Sequence, residues 1–299
     1  MRKPNLFIVG APRSGTTAMY EYLKPHPEIF MAAVKEAHFF GSDIKKIPSH
    51  IRTGMVLDLD GYLALFRGAS GEKWLGEGTP MYLQSKRAAF EIKDFSPDAR
   101  IIIMLRNPVD MMYSLYHLVY GALEDIADFE AALEAEPERK QGLRIPRTAF
   151  IVNSLFYREA AKHWEHVKRY FEVFGRDNVH CIIYDDFMQD VANEYRKTLQ
   201  FLDVSTEFQP SFDMINPSTT PRSRFVQKLW EHRSEPAEKI AQVLLPPWMR
   251  PALRRLYYKV EAPPPMDPEL RRRLQAEFVP GIEQLSELLD RDLTHWCNN

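Results

Sequence analysis

Hydrophobic positions along the chain fall into two kinds of run. Leu6 to Val9, Ile101-Ile102-Ile103-Met104-Leu105 and Val179 to Tyr184 are short, continuous and rich in β-branched residues. That pattern suits strands buried on both faces of a parallel sheet. Trp74-Leu75-Gly76-Glu77 is a shorter fourth candidate, ending at Gly78-Thr79-Pro80. Between them the apolar residues space out. Ala160, Trp164, Val167 and Phe171 recur at intervals of four, three and four, as do Tyr195, Leu199 and Leu202, and both patterns predict one face of a helix. Phe129 to Glu138, rich in Ala and Glu, predicts another. Strands separated by helices define an α/β fold, a parallel β-sheet flanked by helices. Seven prolines within 245–268 restrict that stretch to loops and short helices. With no repeat and no linker, residues 1–299 read as a single domain.

The turn after the first strand carries the chemistry. Leu6 to Val9 ends at Gly10, and helical sequence resumes near Thr16, so Pro12-Arg13-Ser14-Gly15-Thr16-Thr17 forms the loop between them. Such a loop offers free backbone N–H groups and the positive end of a helix dipole to an anion. Gly15 removes a Cβ from the anion's path. Ser14, Thr16 and Thr17 add hydroxyls, and Arg13 adds a fixed charge with several donors. This is a P-loop-type arrangement with one omission. In a nucleotide triphosphatase, Gly, four residues and Gly precede a lysine; here Thr16 follows Gly15.

Two further groupings belong with it. Arg106 leaves the end of the most apolar strand, where ligands gather in open α/β sheets. Asn107 can cap the helix that Pro108 begins, and Ser114 returns to a similar side about two turns on. An arginine with a hydroxyl suits a phosphate monoester. Lys35 and Glu36 are adjacent, and His38 points the same way as Glu36 in an extended segment. A carboxylate there can take a proton from an attacking hydroxyl.

Composition narrows the partners. Hydrophobic residues make up 45% of the chain, charged residues 27%, and the formal net charge is −2, which excludes a general nucleic-acid binder. The two cysteines, Cys181 and Cys297, support neither a disulfide framework nor a zinc site. The chain opens directly on an apolar strand, and no apolar run approaches the ~18 residues of a membrane span, so a soluble, cytoplasmic protein is expected. Charge is uneven: Glu124, Asp125, Asp128, Glu130, Glu134, Glu136 and Glu138 face only Arg139 and Lys140, whereas 222–259 is mainly basic. Solvated helix faces account for both runs, and an anionic ligand is the sharper reading of the second.

On these residues the chain resembles the sulfotransferases that use 3′-phosphoadenosine 5′-phosphosulfate (PAPS), the bacterial ones and the heparan sulfate sulfotransferases in particular. Four blocks match in order: Pro12 to Thr17, Lys35-Glu36-Ala37-His38-Phe39-Phe40, Glu77-Gly78-Thr79-Pro80-Met81-Tyr82 with Gly78 in place of the branch's lysine, and the pair Arg106 and Ser114. A looser likeness continues through Tyr184-Asp185-Asp186-Phe187 and Pro221-Arg222-Ser223-Arg224. The resemblance implies PAPS as sulfuryl donor, adenosine 3′,5′-bisphosphate (PAP) as product and no metal. It assigns the 5′-phosphosulfate to residues 12–17, the 3′-phosphate to Arg106 and Ser114, and the general base to Glu36. Lys35 would neutralise the bridging oxygen, and His38 would orient Glu36 or contact the acceptor. Tyr184 is an adenine contact or a strand-end core residue. Arg222 and Arg224 belong to a loop over the nucleotide or to a plain basic loop. Residues 121–156 are expected to cover the acceptor, a carbohydrate or other aliphatic hydroxyl, and 216–299 to supply the closing loop and C-terminal helices. The acidic run disfavours a highly sulfated polymer. Two other readings stay open: a small-molecule kinase or nucleotide transferase using the same loop, and a non-catalytic anion- or glycan-binding module.

Overall fold

A computed structural model describes residues 2–44, 58–213, 219–221, 258–260 and 263–298. Five strands, β1 (Leu6–Gly10), β2 (Ile29–Met31), β3 (Trp74–Gly78), β4 (Arg100–Leu105) and β5 (Val179–Ile183), form one sheet in the order β2-β3-β1-β4-β5. All its pairings are parallel, with Ile8 beside Gly78 on one flank and Ile102 on the other. Every residue of β1 and all of β4 after Arg100 are buried, as the unbroken apolar runs required. A separate antiparallel pair, β6 (Thr219–Pro221) and β7 (Tyr258–Val260), lies later in the chain.

The helices among the described residues are α1 (Thr16–Leu23), α2 (Leu59–Ala64), α3 (Ala88–Phe95), α4 (Pro108–Val119), α5 (Phe129–Glu134), α6 (Glu136–Lys140), α7 (Tyr157–Ala160), α8 (His163–Phe174), α9 (Tyr184–Gln189), α10 (Val191–Phe201) and α11 (Pro268–Leu289). Alternation along the strands divides the core. Leu6, Ile8, Ile102 and Met104 face Met19 and Leu23 of α1 and Tyr195 and Leu199 of α10. Phe7, Val9, Ile101 and Ile103 face α3, α8 and α11 through Ile92, Val167, Tyr170 and Ile282. A further apolar cluster joins α4, α5 and α7 to α11. Strand order reverses beside β1, so its carboxyl end and that of β4 bound the crevice where such sheets bind ligands.

Several expectations shift in detail. Strand β2 has only three residues, too few to stand out as a hydrophobic run. Tyr184 opens α9 rather than closing β5. The buried face of α8 is His163, His166, Val167, Tyr170 and Phe174; Trp164 and Phe171 lie at its margin, and Ala160 belongs to α7. The acidic run is only in part a solvated face: Asp125, Asp128, Glu134 and Glu138 are exposed, but Glu124 and Glu136 are buried. Arg139 donates to Glu124 through both terminal nitrogens, at 2.6 and 2.7 Å, and both side chains are fully buried. Buried Glu136 accepts from the backbone N–H groups of Arg158 and Glu159 and pairs with Lys140. The argument that an acidic cover repels a sulfated polymer therefore loses the charges of Glu124 and Glu136, which are paired within the fold, and keeps those of the exposed acids.

Candidate active site

The sequence-predicted residues gather along the carboxyl edge of the sheet in strand order. Past β1 the chain turns through Arg13, at φ 60°, and Gly15, at φ 88°, into α1. A Cβ on Gly15 would lie 3.1 Å from Met104 and 3.3 Å from Phe187, so glycine there answers both the left-handed backbone and the close packing. Thr16 and Thr17 begin α1, whose first-turn N–H groups face outward from the loop. Ser14 is buried, and its hydroxyl donates to the Pro12 carbonyl at 3.3 Å across the turn.

Arg13 is the hub of the first cluster. Its Nε donates to Ser114 Oγ at 2.9 Å, and its carbonyl accepts from an Arg106 terminal nitrogen at 3.3 Å. The Arg106 guanidinium lies 4.8 Å from the centre of the Tyr184 ring, a cation–π distance. Burial, then the charge of Arg106, lowers the Arg13 pKa from its ordinary value. Among the described residues neither arginine makes a carboxylate ion pair. Two crowded cations with donors to spare are complementary to a polyvalent anion.

The second cluster follows β2. The backbone keeps pairing beside β3, with Ala32 N donating to Gly76 O and Glu36 N to Gly78 O, each at 2.9 Å. Glu36 (φ 63°) and His38 (φ 52°) are left-handed, so the expected extended path of 35–38 is replaced by a turn. With Arg13 they make three of the six non-glycine residues at positive φ among the described residues, and such strain concentrates at functional sites. Lys35 Nζ stands 3.1 Å from one Glu36 oxygen and His38 Nε2 stands 3.7 Å from the other. Lys35 and His38 are largely enclosed, whereas Glu36 is 47% exposed and open to an incoming group. Burial pushes the Glu36 carboxyl up, but His38 and Lys35 outweigh it and hold the pKa at about 2. The group is a carboxylate across the physiological range.

Behind this turn sits a carboxyl whose role the residue types alone did not reveal. Glu77 is fully buried, accepting from Tyr62 at 2.8 Å and from the Thr79 hydroxyl, and burial raises its pKa. Tyr82, which also reaches Glu77, accepts the Phe40 N–H at 3.2 Å. The Glu77-to-Tyr82 block thus fastens the end of the Lys35-to-Phe40 segment. Gly78 leaves room for the Tyr20 ring: a Cβ there would lie 2.9 Å from it, and would only touch Lys35 Cε at 3.6 Å. Arg222 and Arg224 lie outside the described residues. Among the described residues no cluster of His, Cys, Asp or Glu has metal-site character, and no helix is long and apolar enough to cross a membrane.

Comparison with known proteins agrees with this geometry. The family model described as Sulfotransferase domain matches residues 3–234. The chain is similar to human heparan sulfate glucosamine 3-O-sulfotransferase 3B1, at 29% identity over 57% of this chain and 39% of that protein. It is also similar to human heparan sulfate glucosamine 3-O-sulfotransferase 6, at 26% identity over 86% of this chain and 71% of that protein. Of the first of these relatives it spans about two-fifths of the length. Among solved structures, a sulfotransferase from Alicyclobacillus acidocaldarius superposes with a TM-score of 0.74, at 31% identity over 99% of each chain.

Proposed function

The chain belongs to the sulfotransferase family, and from that premise we propose that it transfers the sulfuryl group of PAPS to the hydroxyl of a carbohydrate or other aliphatic alcohol. One observation carries the reading. The anion-binding cluster of Arg13, Ser114, Arg106 and Tyr184 and the Lys35–Glu36–His38 turn flank the same loop, along one edge of one sheet. A donor charged at both ends would lie across the loop, its 3′-phosphate toward Arg106 and its sulfate toward Glu36.

In the proposed step the acceptor oxygen attacks sulfur in line as its proton passes to Glu36. The bond from sulfur to the bridging oxygen breaks, and PAP leaves with the electron pair. Lys35, Arg13 and the N–H groups at the start of α1 stabilise the charge that gathers on the departing phosphate and the sulfuryl oxygens. With these fixed cations supplying the charge, the reading assigns no step to a metal. Lys35 has a double allegiance. In the free protein its ammonium holds Glu36 ionised, and once drawn to the bridging oxygen it releases the carboxylate to become a stronger base.

The relatives named for heparan sulfate glucosamine favour a sugar hydroxyl as acceptor. Residues 150–154 are proposed as part of the acceptor cover. Ile151 packs with Met81 and Ile44, and Gln84 donates to the Asn153 carbonyl, beside the Lys35-to-Phe40 turn. With both cysteines unpaired, a reducing, cytoplasmic compartment fits the chain. The test is a transfer assay with sulfur-labelled PAPS and a panel of glycans and aliphatic alcohols, run beside calorimetry with PAP and with ATP–magnesium. Tight PAP binding and labelled sulfate ester support the proposal. Preference for ATP–magnesium would replace it with the kinase reading, and PAP binding without transfer to any acceptor would favour a binding module.

A further inference from the structure

The residues proposed to hold the nucleotide, Arg106 and Tyr184, stand just beyond the paired part of the sheet. The β4–β5 ladder ends at Leu105 beside Ile183, so strand pairing alone does not set their separation. A segment from the far end of the chain does. After α11 the backbone makes a short 3-10 turn, Thr294–Cys297, that brings Trp296 to a site where it is 1% exposed.

Trp296 touches both strand ends. Its indole Nε1 donates to Asp185 Oδ2 at 2.6 Å, and its backbone carbonyl accepts from Asn107 Nδ2 at 3.1 Å. The other end of the Asn107 amide caps α4 by accepting from Val109 N at 3.0 Å, so its orientation is set from both sides. The preceding carbonyl, that of Arg106, lies 3.0 Å from His163 Nε2. On the β5 side, Arg291 grips both Asp186 oxygens, one at 2.7 Å, and His295 Nε2 lies 3.3 Å from Asp185. Asp185 and Asp186 occupy the first turn of α9 directly after Tyr184, where carboxylates also favour the helix dipole.

We infer that Trp296 and Arg291 are positioning residues for nucleotide binding, fixing the separation at which Arg106 and Tyr184 meet the 3′-phosphate and the base. The inference rests on the proposed roles of Arg106 and Tyr184. Its physical ground is that one buried residue, Trp296, spans the two strand ends, while the bidentate Arg291–Asp186 pair fastens the same C-terminal segment on the β5 side. A loosened pair would still bind, but part of the binding energy would go into ordering the two groups.

The experiment measures PAP affinity by calorimetry, and steady-state kinetics in donor and acceptor, for the wild-type chain and for Arg291→Met, Arg291→Lys, Trp296→Phe, Arg106→Ala and the double variant Arg291→Met with Asp186→Ala. Arg291→Met and Trp296→Phe should each raise the PAP dissociation constant and the donor KM roughly 3- to 10-fold, about the loss of one hydrogen bond or ion pair, with the acceptor KM unchanged. Arg291→Lys should recover part of the loss, and the double variant should be no worse than Arg291→Met alone, because the two partners act as one unit. Trp296 belongs to the core and its replacement can impair folding; the partly exposed Arg291–Asp186 pair keeps the test open. Wild-type PAP affinity in Arg291→Met and in folded Trp296→Phe, with Arg106→Ala weakened, overturns the inference alone. Unweakened binding in Arg106→Ala instead overturns the placement of the nucleotide on which it rests.

Discussion

Arg13 Nε donates to Ser114 Oγ across 2.9 Å, binding the glycine-bearing loop to the second turn of α4. The bond engages Nε alone of the guanidinium nitrogens and so fixes the plane of the group. Ser114→Ala should therefore weaken PAP binding about 3- to 10-fold, the contribution of one hydrogen bond, with little change in the urea midpoint. Unaltered affinity by calorimetry would show that the hydroxyl neither orients Arg13 nor meets the nucleotide.

Glu36→Gln should leave PAP affinity intact while lowering kcat by about 10²–10⁴, the usual contribution of a general base. A variant that keeps wild-type turnover would remove Glu36 from proton transfer.

The low pKa of Glu36 is testable by carboxyl NMR titration. In the wild-type chain it should stay ionised down to about pH 2. Lys35→Met removes one of the groups holding it there, so the titration should move upward toward the ordinary 4.5. Any stability this carboxylate adds is present above its unfolded-state pKa and fades as pH falls toward 2. No upward movement in Lys35→Met would mean that the ammonium does not govern the base.

Breaking the fully buried Glu124–Arg139 pair should be costly because the remaining ion is stranded. Arg139→Met is expected to lose about 3–5 kcal/mol of unfolding free energy, read as a drop in the urea midpoint. Tyr157, which donates to Glu124 at 2.8 Å, cannot replace the lost charge. A loss within about 0.5 kcal/mol, as at an ordinary surface site, would contradict the burial described.

Acid should destabilise the fold before its carboxylates titrate. Burial lowers the pKa of His163 and of His180 from 6.5 to about 4. The unfolded chain thus binds more protons between those values, and stability falls as pH drops from 6.5 to 4. Each histidine contributes up to about 1.4 kcal/mol per pH unit in that window. Urea midpoints at pH 7.5 and 5.0 should differ, and His180→Gln should narrow the gap; equal midpoints in the wild-type chain would refute it.

What could be read in advance was local. The loop residues 12–17, the Lys35-to-Phe40 segment and the Arg106–Ser114 spacing are contiguous or join a strand end to the helix after it, so residue type and spacing marked them as candidates. The structure then showed Glu36 and His38 at left-handed φ, because backbone conformation there is set by packing. Long-range partners left no pattern. Asn107 and Trp296, 189 positions apart, meet only because β4 and the end of the chain converge, and no periodicity announces it. Within the acidic run, the burial of Glu124 was hidden for a related reason: it finds Arg139 through a fold that turns back on itself between them.

The crowding of Arg13 and Arg106 has a consequence for handling the protein. Two guanidinium groups held together, with no carboxylate paired to either among the described residues, repel each other, and any polyvalent anion that settles between them relieves the strain. Inorganic phosphate and sulfate would then act as surrogate counter-ions, steadying the empty protein while competing with the nucleotide. In such a molecule the buffer anion becomes an experimental variable, able to improve a melting curve and depress a rate at once.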